Sequence, residues 1–265
     1  MLRVYDHPFS PYSQKVKIAL REKGQAFEAP LPNGLGAGGA AGEFVAANPR
    51  AEVPALIDGD VSIFDSTIIL EYIEDKWPTP PRLPATPPER ARVRMLEEVM
   101  DTHVEAINWG LSEVRRFRRV TGEAEVQVEA TARTQTYGYF AWLERQLAGR
   151  KWFNGEAFGW GDLAVVPYVN GSVGFGHVPS PGSALADWLA RANARPSVAA
   201  TNADIVAFLK AGLPDMDAVA KMLDEGLFKR EYRDHRLEWM IKTAGLDVVA
   251  HGLAKDNIRF TPDIG

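Results

Sequence analysis

Ser10 is the residue in this sequence best placed to do chemistry. It follows a short apolar run at residues 2–5, which reads as a strand. It precedes a helical pattern with Val16, Ala19 and Leu20 on one face. Ser10 is a good N-cap, and Pro11 suits the first helical position, where an N–H has no partner anyway. Arg21 and Lys23 in the last turn and Gly24 after it close the helix. A hydroxyl at the positive end of a helix can hold an anion. The competing reading is that Ser10 only caps the helix. A second start of this kind lies at Asp65 and Ser66, before the apolar positions Ile68, Ile69, Tyr72 and Ile73; either residue could cap it.

These residues need a frame. Residues 1–80 read as β-α-β, an irregular segment, then β-β-α, with residues 25–31 as the second strand. Gly34, Gly36 and Gly39 formally match G-x-G-x-x-G, but no strand–helix dinucleotide unit closes around them, so the segment reads as a flexible loop. Residues 52–57 form a strand with Pro54 near its start, which places that proline at an edge, a bulge or a cis turn. Asp58-Gly59-Asp60 is a hairpin turn, and residues 61–64 return.

Residues 77–88 contain six prolines and read as a linker, centred on 81–88. Beyond it the pattern is all-helical: 89–119, 123–147, 162–173, 183–193 and 197–209. We therefore expect domains at 1–80 and 89–213, and an extension at 214–265. Within the extension, 215–223 and 229–244 read as helices and 257–260 as extended chain. Arg230, Glu231, Arg233, Asp234, Arg236 and Glu238 suggest a solvated mixed-charge face. Leu237, Trp239 and Met240 are too apolar to stay in water together and predict that the extension folds back on the body.

Composition excludes several functions. The chain has 265 residues, 46% hydrophobic and 25% charged, enough for real cores. A net charge of −5 and a pI of about 5.6 give no support for nucleic-acid binding. No apolar run approaches the ~18–20 residues of a membrane span, and the start leads straight into a strand without a signal-peptide layout. The expectation is a soluble, cytoplasmic protein. Without cysteine there is no disulfide, thiolate–zinc site or protein thiol to react. Five scattered histidines and no H-E-x-x-H predict no metal site.

The order of these parts resembles a bacterial glutathione S-transferase of the cytosolic superfamily, serine-type and similar to the zeta, theta and omega kinds. The marks are Ser10-Pro11-Tyr12-Ser13-Gln14-Lys15-Val16, then Asn48-Pro49-Arg50 leading to Val53-Pro54-Ala55-Leu56, then Asp65-Ser66. Phe158-Gly159-Trp160-Gly161-Asp162 resembles the family's helix-start motif, with Asp162 read as structural. The resemblance implies an α/β thioredoxin-like first domain that binds glutathione, followed by an all-α domain. It implies Ser10 as the catalytic residue, and a cis Val53–Pro54 pair whose valine backbone meets the cysteinyl part. It also implies that Asp65 and Ser66 hold the γ-glutamyl end. Phe9, Tyr12, Trp109 and Phe117 are candidates to line the second-substrate pocket. The implied activity is attack of the glutathione thiolate on a small hydrophobic or aromatic electrophile: conjugation, dehalogenation or ether cleavage. The implied assembly is a homodimer. Glu52 departs from the family's Lys or Gln at that position and has the wrong sign for the ligand's glycyl carboxylate. It favours the alternative, a non-catalytic binding or assembly protein. Arg50 is a substitute for holding that carboxylate.

Overall fold

Short-range signals become elements first. A computed structural model describes residues 1–35, 39–212, 215–231, 234–243 and 245–259. Gly36, Arg233 and Phe260, which figure in the expectations above, lie outside them. The first domain runs β1 (Arg3–Tyr5), α1 (Pro11–Glu22), α2 (Glu43–Ala47), β2 (Ala55–Asp58), β3 (Val61–Phe64) and α3 (Ser66–Lys76). The sheet order is β1-β2-β3, antiparallel throughout. The expected strand at 25–31 is reduced to a parallel bridge, Arg3 opposite Glu28. The Val4 and Asp6 amides still donate to the Glu28 and Pro30 carbonyls, at 2.8 and 3.0 Å. Pro30 has no N–H to return, so the ladder stops there. The domain is thioredoxin-like, as expected.

The helical part runs α4 (Pro87–Val99), a π-turn (Met100–Val104), α5 (Glu105–Arg115), α6 (Glu123–Leu147), α7 (Trp160–Gly174), α8 (Ala184–Asn193) and α9 (Pro196–Lys210). The helix expected at 89–119 is thus interrupted. A π-turn carries an extra residue that shifts every later side chain around the axis, and here it brings Asp101 against α1. The chain leaves α5 through Arg118, whose φ of 48° ends the helical path. One apolar core runs through both halves: Leu20, Ile69 and Leu70 share it with Val93, Leu96, Val166 and Trp188. Among the described residues no helix is long and apolar enough to cross a membrane.

The extension forms α10 (Met216–Asp224), β4 (Arg230–Glu231), α11 (Asp234–Lys242), α12 (Leu246–Ala254) and β5 (Ile258–Arg259). β4 and β5 pair in parallel. The helix expected from 229 therefore starts later, and α12 forms where no element was expected. Trp239 and Met240 of the extension are buried in a second core with Ile107, Leu111, Val128 and Val248. The solvated mixed-charge face holds at Glu238, which is exposed, and is corrected at Arg230 and Arg236; the side chains of Glu231, Arg233 and Asp234 lie outside the described residues. Arg236 is buried and paired with buried Glu105 at 2.6 Å, and Arg230 reaches Glu113 at 2.7 Å. Apolar neighbours anchor the chain so close to α5 that these guanidinium groups meet carboxylates that need them.

Gly110 permits that docking. A Cβ at this position would lie 2.5 Å from Trp239 Cζ3 and 3.0 Å from Met240 Cε. Gly110→Val should overpack the seam and cost about 1–3 kcal/mol in urea unfolding. An unchanged midpoint would show that the extension is not held through this contact.

Candidate functional site

Sheet register brings the three sequence motifs to one place. Tyr5 ends β1, Ala55 begins β2 and Phe64 ends β3, and the three are paired across the sheet. The loop carrying Ser10, the Val53-Pro54 pair and the Asp65-Ser66 step therefore all leave the same end. The starts of α1 and α3 lie there too, so two positive helix ends share the site.

Each motif is held by its own chemistry. Ser10 Oγ accepts the Ser13 amide at 3.3 Å, so it does cap α1. The Ser10 amide donates to the His7 carbonyl at 2.7 Å. Val53–Pro54 is cis, as expected. Among the described residues none hydrogen-bonds to the Val53 main chain. Main-chain groups left open in this way can pair with a peptide-like ligand. Asp65, exposed, has φ 72° and caps α3, its Oδ1 accepting the Thr67 and Ile68 amides at 3.0 and 3.3 Å. A non-glycine residue in the left-handed region is strained, a feature that clusters at ligand sites. Ser66 is buried beneath it, and so is Glu52, whose carbonyl accepts from Asn48 Nδ2 at 2.7 Å.

Buried charges lock this end of the sheet to the helical part. Lys15, fully buried on α1, donates to Glu97 and Asp101 at 2.5 Å each. Glu97 also accepts Thr67 Oγ1 at 2.9 Å and Trp160 Nε1 at 2.5 Å. Both helix starts are thereby tied to α4. Burial pushes the Asp101 carboxyl up to about 6 against the pull of Lys15. Tyr12 belongs to this interior: its hydroxyl donates to the Asp101 carbonyl at 2.7 Å, and its ring meets Tyr168 edge-on.

The other pocket candidates separate. Phe9 lies against Phe208 of α9 with ring centroids 5.5 Å apart, and the Arg116 guanidinium sits 4.9 Å over its ring. Phe117 stacks on Phe228 of the extension and under Arg230 at 4.2 Å. Trp109 is buried beneath Arg230 and Arg236. Phe9, next to Ser10 in the chain, and Phe117 thus meet residues of α9 and of the extension, while Tyr12 and Trp109 pack inside. Arg116, Phe208, Phe228 and Arg230, which meet Phe9 and Phe117, have no spacing signal in the sequence, because they arrive from separate elements.

His7 sets the loop. Its Nδ1 accepts the Phe9 amide at 3.2 Å, which requires the neutral ring. Burial, then the charges of Arg230, Lys17 and Arg116, pull its pKa down to about 4. The folded value lies below the unfolded one, so the unfolded chain binds more protons between about pH 6.5 and 4 and stability falls as pH drops through that window. From pH 7.5 to 4.5, His7→Gln should lose about 2 kcal/mol less stability than the parent. Identical urea midpoint shifts in the two proteins would refute this.

Comparison with known proteins gives the family. Residues 4–81 match the model for the glutathione S-transferase N-terminal domain and residues 94–196 that for the C-terminal domain. A solved glutathione S-transferase from Methylobacterium radiotolerans, in complex with glutathione sulfonate, is 30% identical with a TM-score of 0.63; the match covers 76% of this chain and 93% of that one. One from Rhodospirillum rubrum is 28% identical with a TM-score of 0.66, covering 76% and 91%. Among curated proteins, the stringent starvation protein A homolog of Coxiella burnetii is 34% identical over 36% of this chain and 44% of its own length. Glutathione S-transferase U6 of Arabidopsis thaliana is 29% identical over 60% and 67%.

Proposed function

The chain belongs to the glutathione S-transferase superfamily, and from that premise we propose that it activates the thiol of glutathione for attack on a small electrophile. One observation carries the reading: three segments far apart in sequence converge at one end of the sheet, with two helix starts and an open Val53 backbone. In this reading the Val53 main chain pairs with the cysteinyl part of glutathione. The α3 start, with Ser66 and Asp65, receives the γ-glutamyl carboxylate and ammonium. Ser10 donates its O–H to the sulfur once the thiol has released its proton to solvent. A carbon–sulfur bond then forms and the leaving group departs with its electron pair. The complex of the Methylobacterium relative with glutathione sulfonate supports this ligand.

The division at 1–80, 81–88, 89–213 and 214–265 belongs to the same proposal, as do a cytoplasmic location and a homodimer. Light scattering giving about twice the 29.2 kDa chain mass would support the dimer.

The test is retention on immobilised glutathione together with conjugation of 1-chloro-2,4-dinitrobenzene. We expect both. Retention without turnover on any of a panel of electrophiles would favour the binding or assembly reading, and absence of retention would end the proposal. Asp65→Ala should raise the KM for glutathione about tenfold with kcat nearly kept, because it removes binding common to ground and transition states. A fall in kcat with KM unchanged would contradict the role given to Asp65.

A further inference from the structure

We propose that the electrophile accepted here carries a carboxylate on an aromatic ring, and that Arg116 reads it. The proposal rests on the glutathione-transferase reading above and names its substrate class. Four arginines close α5 and the turn after it. Arg115 pairs with Glu129, Arg118 with Asp217 at 2.8 Å, and Arg119 with Glu113 and Asn257 at 3.7 and 2.7 Å. Arg116 makes no ion pair or side-chain hydrogen bond with any described residue. Its guanidinium instead lies over two rings, 4.9 Å from the Phe9 centroid and 5.2 Å from that of Phe175. Ring contact uses none of the N–H donors of a guanidinium, which lie in its own plane in a fork that matches a carboxylate. Arg116 is exposed, so that edge is open to a ligand.

Position and surroundings point the same way. Phe9 adjoins Ser10, so Arg116 stands about one aromatic ring away from the residue proposed to hold the sulfur. Phe117, Phe208 and Phe228 supply flat apolar walls nearby. Arg230 from the extension adds a second cation, and its partner Glu113 is shared with Arg119. Among the described residues, Arg230 and Arg119 thus share one carboxylate, and Arg116 has none. His7 registers these cations: after burial, the charges of Arg230, Lys17 and Arg116 disfavour its protonated form. An aromatic ring with an anionic substituent fits walls that stack and an edge that donates. A neutral ring would leave the guanidinium edge unused.

Calorimetry with a matched pair of ligands tests this. S-Benzylglutathione and S-(4-carboxybenzyl)glutathione share the peptide, so their difference reads only the ring carboxylate. The parent protein should bind the carboxylated ligand about tenfold tighter or more at low salt. Arg116→Met, which keeps an apolar stem over Phe9, should bring the two Kd values within about twofold of each other; Arg116→Lys should keep part of the preference. Equal Kd values in the parent would overturn the inference while leaving the glutathione site standing. A preference that survives in Arg116→Met would overturn the assignment to Arg116. Failure of the parent to bind either ligand would overturn the glutathione reading and this inference with it.

Discussion

Ser10→Ala should fold, bind glutathione and turn over about 10²–10⁴-fold more slowly, with a raised apparent pKa for the bound thiol. The two uses of Ser10, cap and catalyst, are compatible. A hydroxyl has one donor and two lone pairs. The cap takes one lone pair, for the Ser13 amide at 3.3 Å, and leaves the O–H free to donate to a thiolate. A free thiol with a pKa of ~8.5 is only a few per cent ionised at neutral pH, so a donor and a helix end that lower it act directly on rate. Loss of the cap alone would cost about 1 kcal/mol of stability and no activity. Measuring kcat, glutathione affinity and urea midpoint on one variant separates the two. Ser13→Ala is the control: Ser13 is fully buried, out of reach of a ligand, and its loss should leave the thiol pKa unmoved. Ser10→Ala with parental kcat would assign thiolate stabilisation to backbone amides and the helix dipole instead.

Asp162→Ala should be the most destabilising single change, by about 3–5 kcal/mol. Asp162 is fully buried at the start of α7, and its two oxygens accept four donors. These are the amides of Phe153, Asn154 and Gly159 at 2.8, 3.2 and 3.1 Å, and Trp188 Nε1 at 2.8 Å. Burial pushes its carboxyl up to about 6, against the pull of those donors, so it is still ionised at neutral pH. Without the side chain, four buried N–H groups lose their acceptor together, because Gly159 offers no side chain of its own to the cap. Asp162→Asn keeps the shape but turns one acceptor into a donor facing donors, and should recover less than half of the loss. Folded Asp162→Ala should still bind glutathione, since among the described residues the Asp162 side chain bonds only to Phe153, Asn154, Gly159 and Trp188 and to no residue proposed to hold the ligand. A loss under about 1 kcal/mol in urea unfolding would remove Asp162 from the framework of the fold.

Much of this protein is decided within a few residues of chain. The capped starts at Ser10, Asp65 and Ser183, the Gly59 turn and the unbroken α6 (Glu123–Leu147) all agree with the sequence pattern. Their hydrogen bonds join near neighbours, and apolar period alone sets which face is buried. The order of those elements, together with the motifs they carry, resembled a family whose fold implied a thioredoxin-like domain followed by helices. The buried side of the site was not legible. Lys15 reads as an ordinary surface lysine until packing brings Glu97 and Asp101, 82 and 86 positions away, against it. The π-turn that aims Asp101 has no local signature. Arg230 and Arg236 read as solvated until apolar neighbours pinned the extension to α5 and turned them inward. The same packing supplied carboxylates to Arg115, Arg118 and Arg119 and none among the described residues to Arg116. In sequence these four arginines are equivalent; what separates them is which distant carboxylate the tertiary fold brings within hydrogen-bonding range.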